Sequence, residues 1–337
     1  MRTRLLLSAV TLALMTAAQA ASPTGPVKPA GRTVQGTTPL DGQNARPGQT
    51  FTLGKQSPLN FTLKSAEYST GRVVIGENVY YPNADQKLLV LRYTVHNPQK
   101  SAARYYWADL KFTAVDALDR NHEFIGAVAR DGTTDKLEVN LKPAQKVDVV
   151  TAIVVPAAGP VPKLIVTRAG EASVLRYDLR TQAKALPSGF ADPADTSGAT
   201  ARSQVPALTG KLMPLKWFDV RLDEATFTTD MLDGKTPSVG MRYLTATFVI
   251  KNNLWRDVEY AWSDFKPTLK DADGEKVAYN QVMLKANRDE KAGGKLPKGE
   301  EVRVRFYWEL PQNVTGDSVL LTDESGRGFV FDVKQAR

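Results

Sequence analysis

The side chains that could carry out chemistry are few. His96 and His122 are the only two histidines, and cysteine is absent. Without cysteine the chain has no disulfide, no thiolate metal site and no cysteine nucleophile. Neither histidine belongs to an H-E-x-x-H motif, and the chain contains no G-x-S-x-G nucleophile motif. A histidine with no recognisable acid, base or nucleophile partner is typical of a polar surface position, so we predict no enzyme and no cofactor.

One acidic cluster has the composition of a cation site. The segment "DADGEK" contains Asp271, Asp273 and Glu275, and alternating acids can coordinate calcium. An EF-hand loop that began at Asp271 would need a glutamate at its twelfth position, where Val282 stands. The Asp-Gly dipeptide is instead typical of a tight hairpin turn. We therefore predict a turn, with calcium binding as the minor alternative.

An aromatic and acidic motif occurs twice, as "YYWADL" and "YAWSDF". Residues two apart on a strand share a face, so the motif could form an exposed platform able to stack on a sugar or an aromatic ligand. The alternative is a tryptophan buried between two sheets, with the aspartate satisfying turn amides. We favour the buried tryptophan, because duplicated positions report what a fold needs in both copies. The residues concerned are Tyr105, Trp107, Asp109, Tyr260, Trp262 and Asp264.

Basic residues exceed acidic ones, and the excess is uneven. Lysine and arginine number 44 against 36 acidic residues, a formal charge of +8. Residues 51–180 carry 17 − 13 = +4, whereas residues 211–337 are neutral at 20 − 20. The first half could thus bind DNA, an acidic polysaccharide or lipid head groups, although a solvated strand face looks the same and is favoured. The candidate polyanion contacts are Arg72, Lys87, Arg92, Lys100, Arg104 and Lys111.

The two halves repeat one another at a shift of 155 residues. The segment that begins "LLVLRYTVHN" at Leu88 aligns without a gap on "YLTATFVIKN" at Tyr243, and the register persists to Pro156 and Pro311. A repeat of this length indicates an internal duplication.

Each repeat has the apolar period of a β-strand. Val302, Val304 and Phe306 alternate with more polar residues, and clusters of Pro, Gly, Asn and Asp separate such runs. This pattern is typical of half-buried antiparallel strands, and no run after the N-terminal segment keeps a helical period for long. We therefore predict an all-β fold of two tandem immunoglobulin-like antiparallel β-sandwiches joined by a flexible linker.

The N-terminus has the pattern of an export signal. Arg2 and Arg4 precede an apolar run that ends in Ala-Gln-Ala, so cleavage is expected after Ala20. The mature chain is then expected in the periplasm, in the cell envelope or outside the cell, with no later membrane span. The predicted organisation is a signal peptide (1–20), a Pro/Gly-rich flexible tail (21–50), a first sandwich (51–180), a linker (181–210) and a second sandwich (211–337).

The second half resembles the telokin-like, immunoglobulin-like domains of bacterial extracellular proteins. The residues at the family's positions are Phe265, Leu269, Asp271, Gly274, Tyr279, Gly299, Glu300 and Pro311. The first half departs from the pattern, since Asp119 stands in place of Gly274, Phe124 in place of Tyr279 and Ala144 in place of Gly299. The resemblance implies a β-sandwich used for display, adhesion or binding, and it implies no catalytic residues.

From these observations we expect a non-enzymatic envelope protein that acts as an interaction or scaffolding module. Its partners would be other envelope proteins or surface polymers. Polyanion binding by the basic first half, nucleic acid included, is the alternative.

Overall fold

The computed structural model describes residues 43–171 and 174–336. These residues lie in one compact unit of the chain. β-Strands are their main element, and the one helical segment among them is the 3-10 turn Trp262–Asp264. The predicted all-β fold is confirmed.

Fifteen strands lie in the first half of the chain. They are β1 Gln43–Ala45, β2 Thr50–Leu53, β3 Leu59–Ser69, β4 Val73–Ile75, β5 Asn78–Tyr80, β6 Gln86–His96, β7 Ala103–Tyr106, β8 Leu110–Val115, β9 Asn121–Glu123, β10 Ala129–Arg130, β11 Glu138–Leu141, β12 Lys146–Pro156, β13 Lys163–Arg168, β14 Val174–Asp178 and β15 Ala183–Lys184. One sheet has the order β1-β14-β13-β8-β9, and the facing sheet has the order β10-β12-β6-β3-β15, with β2 also paired to β3. The pairs β11-β7 and β4-β5 stand apart.

Twelve strands follow in the second half. They are β16 Gln204–Pro206, β17 Met213–Pro214, β18 Asp219–Thr228, β19 Met241–Lys251, β20 Val258–Tyr260, β21 Lys266–Asp271, β22 Lys276–Val277, β23 Leu284–Lys285, β24 Gly294–Leu296, β25 Glu301–Pro311, β26 Gly316–Thr322 and β27 Gly328–Asp332. Their sheets have the orders β16-β27-β26-β21-β22 and β17-β18-β19-β25-β23, with the separate pair β20-β24.

The two halves pair their strands in matching order. The central pair β6 and β12 runs antiparallel with Leu89 opposite Ile153, and β19 and β25 run antiparallel with Leu244 opposite Trp308. Both partners are shifted by 155 residues. A β-bulge follows Leu63 where β3 pairs with β6, and another follows Leu222 where β18 pairs with β19. The edge strand β15 has no counterpart among the described residues of the second half, and the hairpin β4-β5 is reduced there to a turn bridged from Leu232 to Lys235.

Each half has its own hydrophobic core between its two main sheets. The rings of Phe61, Tyr93 and Phe112 are fully buried in the first core, and Tyr93 and Phe112 lie 5.0 Å apart. Phe248, Phe306 and Trp308 occupy the second core. Full burial of one such side chain contributes about 1.5–3 kcal/mol.

The central strands are more buried than their alternation predicts. Val90 on β6 and Tyr307 on β25 lie on the outer faces of their sheets, yet they are only 4% and 2% exposed. The hairpin β4-β5, through Ile75, covers the outer face in the first half. Leu232 and Leu284 pack on the corresponding face in the second half. The expectation of half-buried strands is therefore wrong at the centre of both sheets, because local coverings lie over them.

The segment 181–210, expected to be a flexible linker, is packed along most of its length. Ala183–Lys184 pairs with β3, and Leu186 is buried in the first core. Phe190 packs against both cores and lies 6.3 Å from the ring of Phe329. The proline, glycine and aspartate residues of segment 181–210 form hydrogen-bonded turns. In one of them the Asp195 carboxylate accepts from the amides of Ser197 and Thr200.

Two arginines also connect the halves: Arg327 is buried, and the side chain of Arg72 is 11% exposed. Arg72, just before β4, forms an ion pair with Asp219 at the start of β18 and donates to the carbonyl of Leu215 at 2.6 Å. Arg327, in the turn before β27, donates to the carbonyls of Asn83, Ala84 and Gln86. These contacts join one end of each half. In the first half it is the end near β4, and in the second half it is the end near the β26–β27 turn.

The predicted signal peptide (1–20) lies outside the described residues, and so does most of the predicted tail (21–50). The last tail residues belong to the sheets, since Gln43–Ala45 pairs in parallel with β14. Within residues 43–171 and 174–336, no helix has the length and the hydropathy to cross a bilayer.

Candidate functional site

The duplicated aromatic motif divides into three structural roles. Tyr105 is fully buried and shares a 2.8 Å hydrogen bond with the hydroxyl of Tyr93, and Tyr260 is 9% exposed. The aspartates cap the following turn: Asp109 accepts from the amide of Tyr106 at 2.9 Å, and Asp264 accepts from the amide of Ala261 at 2.7 Å. The tyrosine and the aspartate thus serve the fold in both halves.

The two tryptophans of the motif are not core residues. Trp107 is 40% exposed and Trp262 is 46% exposed. The prediction that they pack between sheets is wrong because β7 ends at Tyr106 and β20 ends at Tyr260, so both indoles lie in a turn where strand alternation no longer applies. The core tryptophan is Trp308, which is fully buried and matches Ile153 in the first half. The exposed-platform alternative is right about the exposure of the two tryptophans, but the tyrosines do not share their exposed face.

The surroundings of the two exposed indoles differ. In the first half the guanidinium of Arg104 lies 4.6 Å from the ring centre of Tyr106, whose ring meets Trp107 edge-on at 6.3 Å. In the second half Glu259 and Ala261 replace Arg104 and Tyr106. The first-half surface is therefore more aromatic, and its arginine is paired with Glu138.

Two of the six predicted polyanion contacts are buried and cannot meet a polymer. Arg72 joins the halves as described above. Lys87 is fully buried and donates to the carbonyl oxygens of Ala157 and Ala199, the first at 3.1 Å. Its ammonium lies 4.5 Å from the ring centre of Tyr68. Desolvation by burial lowers the pKa of Lys87 to about 8, against a smaller opposing effect of Asp195.

The role of Lys87 is repeated in the second half. Arg242 stands 155 residues later, and its guanidinium lies 3.5 Å from the ring centre of Phe227. Phe227 corresponds to Tyr68. Phe227 lies opposite Leu244 and Tyr68 lies opposite Leu89, and these two leucines are equivalent positions of the repeat. A cation over an aromatic ring is therefore a structural element of both sheets.

The remaining four predicted cations differ in availability. Arg92 forms ion pairs with Glu67 and Asp131, and Arg104 pairs with Glu138 at 2.6 Å. Lys100 and Lys111 are exposed and form no ion pair within the described part of the chain. The predicted set is thus not one binding surface.

A different group of lysines lies together at the free end of the first half, away from the contact with the second half. Three loops meet there: Gln99 donates to the carbonyl of Pro58, and Asn97 donates to the carbonyls of Leu141 and Lys142. We call this surface the basic tip. Its lysines are exposed and form no ion pair among the described residues; they are Lys55, Lys100, Lys142 and Lys146.

The acidic segment Asp271–Glu275 forms a hairpin turn, as predicted. The carboxylate of Asp271 accepts from the amides of Asp273 and Glu275 at 3.0 and 2.8 Å. Gly274 has a φ of 84°, which fits a glycine position. Within the described residues, no group of three or more acidic or histidine side chains is placed to hold a metal ion.

The matching turn of the first half has the same geometry despite its different sequence. The amide of Asp119 donates to the carbonyl of Asp116 at 3.0 Å, as that of Gly274 does to Asp271. Asp119 adopts a φ of 58°, and Ala144, in place of Gly299, adopts 60°. The glycine turns of the second half are thus kept in the first half by residues that must tolerate the left-handed region.

Both histidines are held by polar neighbours at strand ends. His122 lies 3.0 Å from a carboxylate oxygen of Asp116, and His96 lies 3.0 Å from the amide nitrogen of Asn60. Burial opposes ionisation of Asp116, but the hydrogen bonds from His122 and the Arg120 amide outweigh it and hold its pKa well below the usual range. The contacts of Asp116 with Arg120 and His122 stabilise the β8–β9 turn.

A polar cavity of about 360 Å³ opens on the outer face of the second half, and sequence reasoning missed it. It lies beside β19 and β25, and its walls are Asp233, Lys235, Thr236, Ser238, Tyr243, Asn280, Val282, Tyr307 and Glu309. A signal was present in the repeat: Leu88, Ala152 and Val154 of the first half correspond to Tyr243, Tyr307 and Glu309. Polar residues replace apolar ones at one patch of otherwise matching strands.

No protein-family model and no curated protein matches the chain. Among solved structures, an uncharacterised β-sandwich protein of Clostridium difficile is 13% identical, with a TM-score of 0.31 over 42% of this chain and 97% of its own. The secreted protein MPT63 of Mycobacterium tuberculosis is 17% identical, with a TM-score of 0.30 over 41% of this chain and 97% of its own. Both likenesses are too distant to transfer a function.

Proposed function

We propose that this chain is an exported, non-enzymatic binding protein that engages its partner through the exposed Trp107, with Trp262 as a second contact. Its two halves would be immunoglobulin-like sandwiches of the telokin-like type, held in a fixed relation by the packed segment 181–210. The observation that carries the proposal is that both tryptophans are held outward by capped turns.

The energetics favour a binding role for these indoles. A large aromatic side chain that stays 40% or more exposed gains little from folding. Tryptophan, tyrosine and arginine are the residues most enriched at interface hot spots. Trp107, Tyr106 and Arg104 supply all three side by side.

The test is co-sedimentation of the purified mature protein with isolated cell envelopes. We expect Trp107→Ala to reduce the bound fraction at least about tenfold, which corresponds to a hot-spot loss of about 1.4 kcal/mol or more. Leu118→Ala is the matched control, because Leu118 is 72% exposed at the other end of β8. Equal binding by the wild type and both variants, with unchanged melting temperatures, would contradict the proposal.

A second candidate function, polyanion binding, is favoured by the basic tip. The four lysines of the basic tip form no ion pairs within the described residues and lie on or beside three adjoining loops. Together they produce a local positive potential, which attracts polymers that carry phosphate or carboxylate groups. Of the six contacts expected from the sequence, only Lys100 belongs to the basic tip. Arg72 and Lys87 have no part in it, because they are enclosed by other segments.

The salt dependence of heparin binding tests this second function. We expect the variant with Lys100, Lys142 and Lys146 changed to Gln to elute at lower salt than the wild type. A variant with Lys266, Lys270 and Lys276 changed to Gln removes equal charge from exposed positions of the second half and serves as control. If both variants elute alike, the retention reflects net charge and the basic tip is not a site.

A further inference from the structure

The cavity beside β19 and β25 has features of a ligand site. In the first half the corresponding outer face is closed by the hairpin β4-β5, and its lining is apolar, with Ile75, Leu88 and Ala152 in contact. In the second half a shorter turn, bridged from Leu232 to Lys235, stands in its place and covers only part of the face. A cavity of about 360 Å³ lies beside this turn. Sites for small molecules typically have volumes of about 300–1,000 Å³.

One wall of the cavity carries a polar group that the fold does not use. Tyr307 is 2% exposed, and its hydroxyl has no hydrogen-bond partner within the described part of the chain. The hydroxyl oxygen is not fully enclosed by protein, so it remains accessible from the cavity. A buried phenol would ordinarily find a partner. A ligand in the cavity could supply one.

The protonation of Tyr307 suits a hydrogen-bond donor. Burial, and then the negative charge of Asp233, raise the pKa of Tyr307 to about 12. Its hydroxyl is therefore protonated at neutral pH. Its ring meets Tyr243 edge-on at 5.2 Å, and the Tyr243 hydroxyl is occupied by the carbonyl of Lys235 at 3.4 Å.

The other walls offer both donors and acceptors. Glu309 uses one carboxylate oxygen to accept from the amide of Ser238 at 2.6 Å, which leaves its second oxygen available. Asp233 has Lys291 at 4.0 Å, beyond hydrogen-bond distance. The side chains of Thr236, Ser238 and Asn280 form no hydrogen bond within the described residues. The two acids of the lining are balanced in part by Lys235, so the site does not select strongly for one sign of charge.

We propose that this cavity binds a small neutral saccharide. A sugar hydroxyl both donates and accepts, which matches a lining of carboxylates, hydroxyls, an amide and an ammonium better than a simple cation or anion does. Glu309 and Asp233 accept from the ligand, Tyr307 donates to it, and Val282 contacts its C–H surface. The proposal is independent of the tryptophan surfaces, because no residue of the cavity belongs to them.

NMR titration of the mature protein with N-acetylglucosamine, glucose and maltose tests the proposal. We expect at least one of them to cause saturable shifts of the Tyr243 and Tyr307 ring signals, with a Kd near about 1 mM, which is typical of a small polar ligand. Tyr307→Phe removes only the free hydroxyl, and we expect it to weaken binding at least about fivefold. Tyr106→Phe removes a phenol hydroxyl outside the cavity and serves as control.

Three outcomes would overturn the proposal. The first is the absence of saturable shifts with all three sugars. The second is binding that Tyr307→Phe and Glu309→Gln leave unchanged, which would place the sugar elsewhere. The third is a response of the same signals to putrescine, a dication, with none to the sugars, which would make the cavity a cation site. Loss of sugar binding with envelope binding intact separates this site from the tryptophan surface.

Discussion

The two halves of the molecule share their strand order but differ at their surfaces. The bulges after Leu63 and Leu222 and the cation–aromatic contacts of Lys87 and Arg242 occur in both. The basic tip belongs to the first half, and the polar cavity belongs to the second. What a repeat keeps is what the β-sheets require, and what it changes is where separate roles can arise.

The largest expected effect separates the core tryptophan from the exposed ones. Trp308→Ala should lower the unfolding free energy by about 3–5 kcal/mol, because it empties the centre of the second core. Trp107→Ala and Trp262→Ala should cost about 1 kcal/mol or less, since each indole is already half exposed. Urea denaturation measures all three. Equal losses would mean that the exposed indoles are structural.

The contact between the halves should be nearly as sensitive. Arg72→Met removes one partner of a buried ion pair and leaves the Asp219 carboxylate without its cation, at a cost of about 3 kcal/mol. Lys64→Met breaks the exposed pair with Asp148 and should cost less than about 1 kcal/mol. If Arg72→Met matches this control in thermal unfolding, the halves do not stabilise each other through this pair.

The cation–aromatic contact of the first half, formed by Lys87, should make the unfolding free energy depend on pH. The pKa of Lys87 in the folded chain is about 8, below its ordinary value of 10.5, because burial disfavours its charge. Between these pH values the unfolded chain holds a proton that the folded chain has lost, so unfolding free energy rises with pH across this window, by about 2 kcal/mol. Below pH 8 the cost of burying the charge is constant.

Lys87→Met provides the comparison for this titration. The variant lacks the group, so its stability should rise less between pH 8 and pH 10 than that of the wild type, as followed by urea midpoints. Parallel curves for the wild type and the variant would show that Lys87 does not titrate there.

The smallest effect concerns the turns that differ in sequence but not in geometry. Ala144 at φ 60° and Gly299 at φ 81° form the same turn, with amides that donate to Asn97 and Asn252 at 3.0 and 2.8 Å. Ala144→Gly should stabilise by about 1 kcal/mol, and Gly299→Ala should destabilise by a similar amount. Thermal melting checks both. Changes of the same sign would show that the turns are not equivalent.

The repeat shows which structural features were readable in the sequence. The shift of 155 residues, taken from the letters alone, is the shift between the paired positions of β6-β12 and β19-β25. The Asp271 turn was readable because Asp-Gly requires a particular backbone. Short-range rules of this kind depend on neighbouring residues, so one sequence contains all that they need.

The errors fall where burial depends on distant parts of the chain. Trp107 and Trp262 lie in the turns that follow β7 and β20, where strand periodicity no longer applies. Lys87 has the composition of a surface cation, yet the segment around Ala199 folds over it. The apolar residues of segment 181–210, Leu186 and Phe190, gave too weak a period to reveal that they pack into the cores.

By itself the sequence determined the all-β class, the position of the main strands and their repetition, because strand period and turn residues act locally. The tertiary structure decided which tryptophan is buried, which cations remain free, and that one outer sheet face is closed while its counterpart forms a cavity. Those properties depend on which distant segment covers each surface, and no local pattern of residues encodes that choice.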